Sequence, residues 1–177
     1  MEKPAKVFLT GRPGVGKTTV IERTLQMLGD IELHGFITRE MRENGRRVGF
    51  RIDDLHGNGA VMAHVDFSGP PRVSKYGVDV DAVERVAVEA LNRAVKAGTP
   101  AVIDEVGKME LASDAFAEKL IQVVEADIPV LGTMHKRRDR VTRQIHGSDD
   151  TRVIEVTTEN RDGLPARLAD LLVAAMD

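Results

Sequence analysis

Hydrophobic positions along the chain switch between two periods, and the switches mark its elements. Residues 5–10 form a short apolar run of strand character. Lys17 to Leu28 then carries Val20, Ile21, Leu25 and Leu28 on one helical stripe that Gly29 ends. From Gly35 the period falls to two. The stretch GFITREMRENGRRVGFRID is centred on Asn44-Gly45, a pair suited to the positive φ angles of a two-residue hairpin turn. That turn predicts Met41 opposite Val48, Arg39 opposite Phe50 and Ile37 opposite Ile52, with one mostly apolar face on the core. A glycine turn, HGNG, leads to a third strand over 60–65, and Gly69-Pro70-Pro71 breaks the chain.

A helical period resumes near Asp79. Val80, Val83, Ala87, Ala90, Leu91, Ala94 and Val95 share a stripe closed by Gly98. PAVIDE reads as a buried strand, and Ser113 as the cap of a helix bearing Phe116, Leu120, Ile121 and Val124. IPVLGTMH and RVIEVT are further strands, and a last helix carries Leu164, Leu168, Leu171 and Leu172. Apolar strands alternating with amphipathic helices predict an α/β domain with a mainly parallel central sheet and helices on both faces. The segment 35–65 is expected as an antiparallel extension at one edge. The length of 177 residues suits a single domain, 1–177, with no internal repeat or low-complexity run.

Composition removes several classes of chemistry. The chain has no cysteine, so disulfides, zinc-thiolate sites and a thiol nucleophile are excluded. Its net charge of −3 gives no global reason to expect nucleic acid or a membrane surface as partner. No apolar run approaches membrane-spanning length and the N-terminus has no apolar signal core, so a cytoplasmic location is expected.

The chemistry starts between the first strand and the first helix. Gly11, Arg12, Pro13, Gly14, Val15, Gly16, Lys17 and Thr18 match G-x-x-x-x-G-K-[ST], with Thr19 beside them. Glycines let such a loop fold into a nest of inward N–H groups for phosphate oxygens, and the helix adds its positive end. Lys17 supplies a full charge to β- and γ-phosphates, and Thr18 a hydroxyl to Mg²⁺. In AVIDEVGKMEL, Asp104 ends a buried strand where open α/β sheets bind ligands, which suits a Mg²⁺ partner for Thr18. Glu105 points differently and suits the base that activates a water beside the γ-phosphate.

Other signals admit more than one role. Asp104 to Gly107 reads D-x-x-G, as in regulatory GTPases, but the chain lacks the N/T-K-x-D segment that specifies guanine. Thr133 and His135 either sense a γ-phosphate or simply close a strand. The basic segment 136–150, with Lys136, Arg137, Arg138, Arg140 and Arg143, reads as a lid or as a solvated helix. It lacks the interleaved aromatics of a nucleic-acid patch. Lys108 is a candidate transition-state cation beside the lid arginines. Asn160 either lies beside a nucleobase or caps the last helix, and Tyr76 either stacks on a base or packs. The five histidines have no metal-ligand spacing.

Taken together, TGRPGVGKTT, VIDEVGKMEL, GTMH and NRDGL resemble the small stand-alone P-loop nucleoside-triphosphatases, sometimes called cancer-related nucleoside-triphosphatases. The resemblance runs along essentially the whole chain. It implies a RecA-like P-loop NTPase fold and Mg²⁺-dependent hydrolysis of ATP, GTP and other nucleoside triphosphates, CTP and UTP among them. It also implies that one strand separates the P-loop strand from the Asp104 strand, leaving room for a water held by Glu105. A kinase using the same loop and a nucleotide-dependent regulatory module, whose protein partner is unknown, stay open as alternatives.

Overall fold

The computed structural model describes residues 5–176. Its described strands form one nine-stranded sheet in the order β5-β6-β4-β3-β2-β7-β8-β1-β9. These are β1 (Lys6–Thr10), β2 (His34–Glu43), β3 (Arg46–Asp54), β4 (Gly59–His64), β5 (Arg72–Val73), β6 (Tyr76–Val78), β7 (Ala101–Val106), β8 (Val130–Met134) and β9 (Thr151–Glu155). β2, β7, β8, β1 and β9 run parallel, and β3 to β6 continue the sheet antiparallel beyond β2. One strand, β8, separates β1 from β7, as the resemblance implies.

Helices cover both faces, so the central strands are apolar on both sides. α1 (Lys17–Leu28) and α6 (Leu164–Ala174) pack on one face. The other takes α2 (Val80–Val83), α3 (Glu89–Ala97), α4 (Asp114–Glu125) and α5 (Arg140–His146). Residues of β1 alternate between the two cores: Val7 and Leu9 join Ile21, Leu131 and Leu168, while Phe8 joins Ile103, Phe116 and Met134. Ser113 caps α4 by accepting a hydrogen bond from the Phe116 N–H at 3.0 Å.

The hairpin register needs correction. The Asn44-Gly45 turn forms, pairing Glu43 with Arg46 and Arg42 with Arg47. A bulge at Val48 then shifts every later pair, so Met41 faces Gly49, Arg39 faces Arg51 and Ile37 faces Asp53. The Val48 carbonyl accepts instead from the Val65 N–H at 2.9 Å, which takes it out of the β2 ladder. Ile37 and Ile52 consequently fall in opposite cores.

The helix after Asp79 also departs from one stripe. A π turn over Glu84–Val88 joins α2 to α3 and rotates the pattern, burying Val86 and leaving Val95 38% exposed. The extension holds two short strands that hydrophobic period did not reveal, β5 and β6. Tyr76, on β6, is buried and packs edge-on against Phe50, so of its two roles it takes packing.

Candidate active site

β1 delivers the glycine-rich loop to the C-terminal edge of the sheet. Gly14 and Gly16 adopt φ of 78° and 110°, which side chains rarely tolerate, and the loop enters α1 at Lys17. Lys17 arches back over the loop, its Nζ donating to the carbonyls of Gly11 at 3.1 Å and Arg12 at 3.3 Å. At the next residue, the Thr18 hydroxyl donates to Asp104 Oδ2 at 2.8 Å. Residues 86 positions apart therefore meet with two hard oxygen donors at one point.

Asp104 is 2% exposed and tightly held. Its other oxygen accepts from the Thr133 hydroxyl at 2.6 Å, so Thr133, fully buried at the end of β8, is a support of the carboxylate. Burial pushes the Asp104 carboxyl up to about 6, aided by the charges of Glu105 and Glu22 and opposed by the two hydroxyls. A carboxylate so desolvated favours a cation beside it. Oxygen donors and a single carboxylate fit Mg²⁺, which completes its shell with water and phosphate. Among the described residues, no group of three or more His, Cys, Asp or Glu is arranged to hold a metal by itself.

Pairing between β7 and β8 lapses after Ile103 and resumes only at Val106, so Asp104 and Glu105 leave the β8 ladder while Asp104 stays paired with Ile37 of β2. Glu105 is half-buried and lines the cleft. A Cβ on Gly107 would stand 2.9 Å from both Glu105 Oε1 and Glu110 Oε2, so a side chain there would displace these carboxylates. Glu110 is 3% exposed, and burial, then the charge of Glu105, pushes its carboxyl up to about 8. A neutral acid thus stands behind the candidate base. Nothing in local pattern marks Glu110 beyond its place in VIDEVGKMEL.

The cleft holds about 800 Å³, ample for a nucleotide, and brings together Gly11, Arg12, Pro13, Gly14, Gly16, Lys17, Thr18, Thr19, Asp104 and Glu105. Val15 stands beside this lining with its carbonyl turned to Arg161. The opposite wall went unread in the sequence. Thr38, Arg39, Glu40, Arg47 and Phe50 of the β2–β3 hairpin line the cleft. They reach it because β2 pairs in parallel with β7, placing Ile37 beside Asp104. Arg39 is paired with Glu22, and Arg47 donates to Tyr76 and Glu40, each at 3.0 Å.

Other sequence candidates sit differently. Lys108 is exposed and lines an adjoining cavity of about 270 Å³, which shares Thr38, Phe50, Glu105 and His135 with the cleft. From segment 136–150 only Lys136 lines the cleft; Arg137 and Arg138 do not, and α5 is seated on the core through Val141, Thr142 and Ile145. His135 lines the cleft and bonds Asp139 at 2.9 Å. Asn160 does not cap α6, whose N-cap position is Gly163. Its side chain accepts from the Thr157 N–H and donates to the Glu155 carbonyl, tightening the turn after β9. No helix among the described residues is long and apolar enough to cross a membrane.

Comparison with known proteins returns the same picture. A family model described as NTPase matches residues 6–169. Nucleoside-triphosphatase THEP1 of Thermofilum pendens is 43% identical over 171 residues, covering 93% of this chain and 94% of that protein. The THEP1 protein of Methanocaldococcus jannaschii is 36% identical over 174 residues, 97% and 99% of the two chains. Among solved structures, THEP1 from Aquifex aeolicus superposes with a TM-score of 0.86 at 33% identity, covering 94% of this chain and 98% of that one. A human cancer-related nucleoside triphosphatase gives 0.81 at 34%, covering 96% and 98%.

Proposed function

The chain belongs to the NTPase family of small P-loop nucleoside-triphosphatases, and from that premise we propose Mg²⁺-dependent hydrolysis of ATP, GTP, CTP and UTP to the diphosphate and phosphate. The observation that carries the reading is the Thr18–Asp104 hydrogen bond. It sets a hydroxyl and a buried carboxylate together at the mouth of the phosphate nest, with Glu105 one residue away. Mg²⁺ held by Thr18 and Asp104 would neutralise negative charge on the phosphates.

The chain's own groups divide the remaining work. Backbone N–H groups of Gly14 and Gly16 to Thr19, with the Lys17 ammonium, hold the β- and γ-phosphates. Lys17 leaves its carbonyl partners for phosphate oxygens, which bind a cation more strongly than neutral carbonyls do. Glu105 accepts a proton from the attacking water as its oxygen bonds to the γ-phosphorus and the bond to the β,γ-bridging oxygen breaks. The neutral Glu110 behind it adds no second charge to the base. Lys108 serves as transition-state cation from the adjoining cavity, with Arg39 and Arg47 in the cleft as its competitors for that role.

The test is phosphate release from each of the four triphosphates, with Mg²⁺ or with EDTA, by wild type and Glu105→Gln. Release without any added acceptor, abolished by EDTA and lowered ~10²–10⁴-fold by the substitution, is expected. Full turnover by Glu105→Gln, or turnover in EDTA, would remove this mechanism.

A further inference from the structure

The cleft has a direction. Asp104 and Glu105 stand at the end where the γ-phosphate reacts. On the other side of the loop a second cavity, about 270 Å³, is lined by Gly14, Gly16, Thr19, Arg23, Arg161 and Asp162. Gly14, Gly16 and Thr19 line both spaces, so the two communicate across the loop and the first turn of α1. A chain of phosphates that starts at Glu105 and crosses the nest must bring its nucleoside end out beside Thr19. We propose that this cavity is the nucleoside subsite and that the Arg161 guanidinium is the platform for the base face. The proposal rests on the phosphate-binding reading above.

Arg161 is exposed and is tied to the loop by one hydrogen bond. Its Nη1 donates to the Val15 carbonyl at 3.1 Å, and its Cδ lies 3.8 Å from where a Cβ on Gly16 would stand. The stem therefore runs along the phosphate loop, with the planar head at its edge. The turn that carries it is tied by Asn160, through bonds to Thr157 and Glu155. A guanidinium is planar, weakly hydrated and attracted to aromatic faces.

The subsite also carries a specificity. Base selection requires buried donors or acceptors matched to a base edge, which penalise the wrong base when left unpaired. Here the polar side chains are exposed. Arg23 and Asp162 are only loosely paired at 3.6 Å and mostly solvated. A stacking platform without edge readers accepts every base, because every base has a π-face. The site thus selects a nucleoside over bare polyphosphate, and selects weakly among bases.

Arg161 also braces the phosphate loop through Val15, so the experiment must separate the two roles. KM is measured for ATP, GTP, CTP and UTP, and inorganic tripolyphosphate is titrated as an inhibitor of ATP hydrolysis. Arg161→Ala should raise KM roughly 5- to 30-fold for all four nucleotides while leaving the tripolyphosphate inhibition constant within about twofold. Arg161→Lys keeps a donor of comparable reach for Val15 but loses the planar face, and should lose nucleotide affinity in the same direction. Equal weakening of tripolyphosphate and nucleotides in both variants would reduce Arg161 to a brace and overturn the proposal. Unchanged KM values would place the base elsewhere. If instead Lys17→Ala leaves tripolyphosphate inhibition intact, the phosphate-loop reading itself fails.

Discussion

Thr133→Val isolates one hydrogen bond at the centre of the site. The two side chains are close in volume, and Thr133 is fully buried, so the change removes little more than a hydroxyl. That hydroxyl lies 2.6 Å from Asp104 Oδ1 and, with Thr18, opposes the burial that has already pushed the carboxyl up to about 6. A hydrogen bond to a charged group contributes about 1.5–3 kcal/mol. At about 1.4 kcal/mol per factor of ten, its loss makes Asp104 roughly 10- to 100-fold easier to protonate. The direction follows from the sign of charge: a proton on Asp104 competes with Mg²⁺, so the defect is largest at low pH. Because a carboxyl at about 6 is already mostly ionised at pH 7, proton competition there should raise the Mg²⁺ concentration for half-maximal phosphate release roughly 2- to 10-fold. By pH 9 most of that deficit should disappear, as the carboxyl ionises again. Thr133→Ser, which keeps the hydroxyl, should behave as wild type. Magnesium titrations of the three proteins at pH 6, 7 and 9 read these outcomes. An unchanged curve at pH 7, or a deficit of equal size at pH 9, would refute the link between Thr133, proton and metal.

Three further outcomes are expected. Lys17→Ala should lower kcat/KM at least ~100-fold, about 2.7 kcal/mol, in steady-state assays, and a value within threefold of wild type would remove the loop from catalysis. Lys108→Ala should lower kcat with nucleotide affinity nearly intact, as befits a contact made mainly in the transition state; if Arg47→Ala carries that signature and Lys108→Ala does not, the cation comes from the hairpin. Glu110 should tilt the stability curve. Between the ordinary 4.5 of an unfolded glutamate and its raised value of about 8, the folded chain holds a proton that the unfolded chain has lost. Stability should therefore fall as pH rises through that window, by up to about 1.4 kcal/mol per pH unit, and level off above it. Thermal melts in EDTA from pH 5 to 9 should show Tm declining for wild type and a flatter profile for Glu110→Gln; a flat wild-type profile would contradict the buried proton.

The legible parts of this molecule are those whose signal is local. GRPGVGKT specifies a phosphate nest because glycine backbone freedom, a helix start and a lysine must be adjacent in sequence to work. AVIDE places carboxylates near a strand end because the unbroken apolar run Ala101-Val102-Ile103 suits a strand covered on both faces. Ser113 and Asn44-Gly45 are equally local, and the cap and the turn both form. The departures are of the opposite kind. The bulge at Val48, whose carbonyl accepts from Val65 seventeen positions on, reverses the face of Ile37 relative to Ile52. The π turn that hides Val86 and exposes Val95 leaves the apolar count of its segment unchanged.

The candidate site divides along the same line. Residue identity alone determined that the chain carries a phosphate loop, a lysine, a metal-type hydroxyl and a pair of carboxylates on an α/β frame. Which of these groups meet was decided by the order of strands. With β8 between β1 and β7, Thr18 comes within 2.8 Å of Asp104, and Thr133 closes on its other side. With β2 parallel to β7, a hairpin that reads as an edge decoration becomes the far wall of the cleft and brings Arg39 and Arg47 with it. Packing also decided charge, because burial, with the neighbouring carboxylates that the fold gathers, raises Asp104 and Glu110 above ordinary carboxyls. Sequence spacing records what neighbours along the chain can do, whereas desolvation and strand order depend on neighbours through space, which no local period encodes.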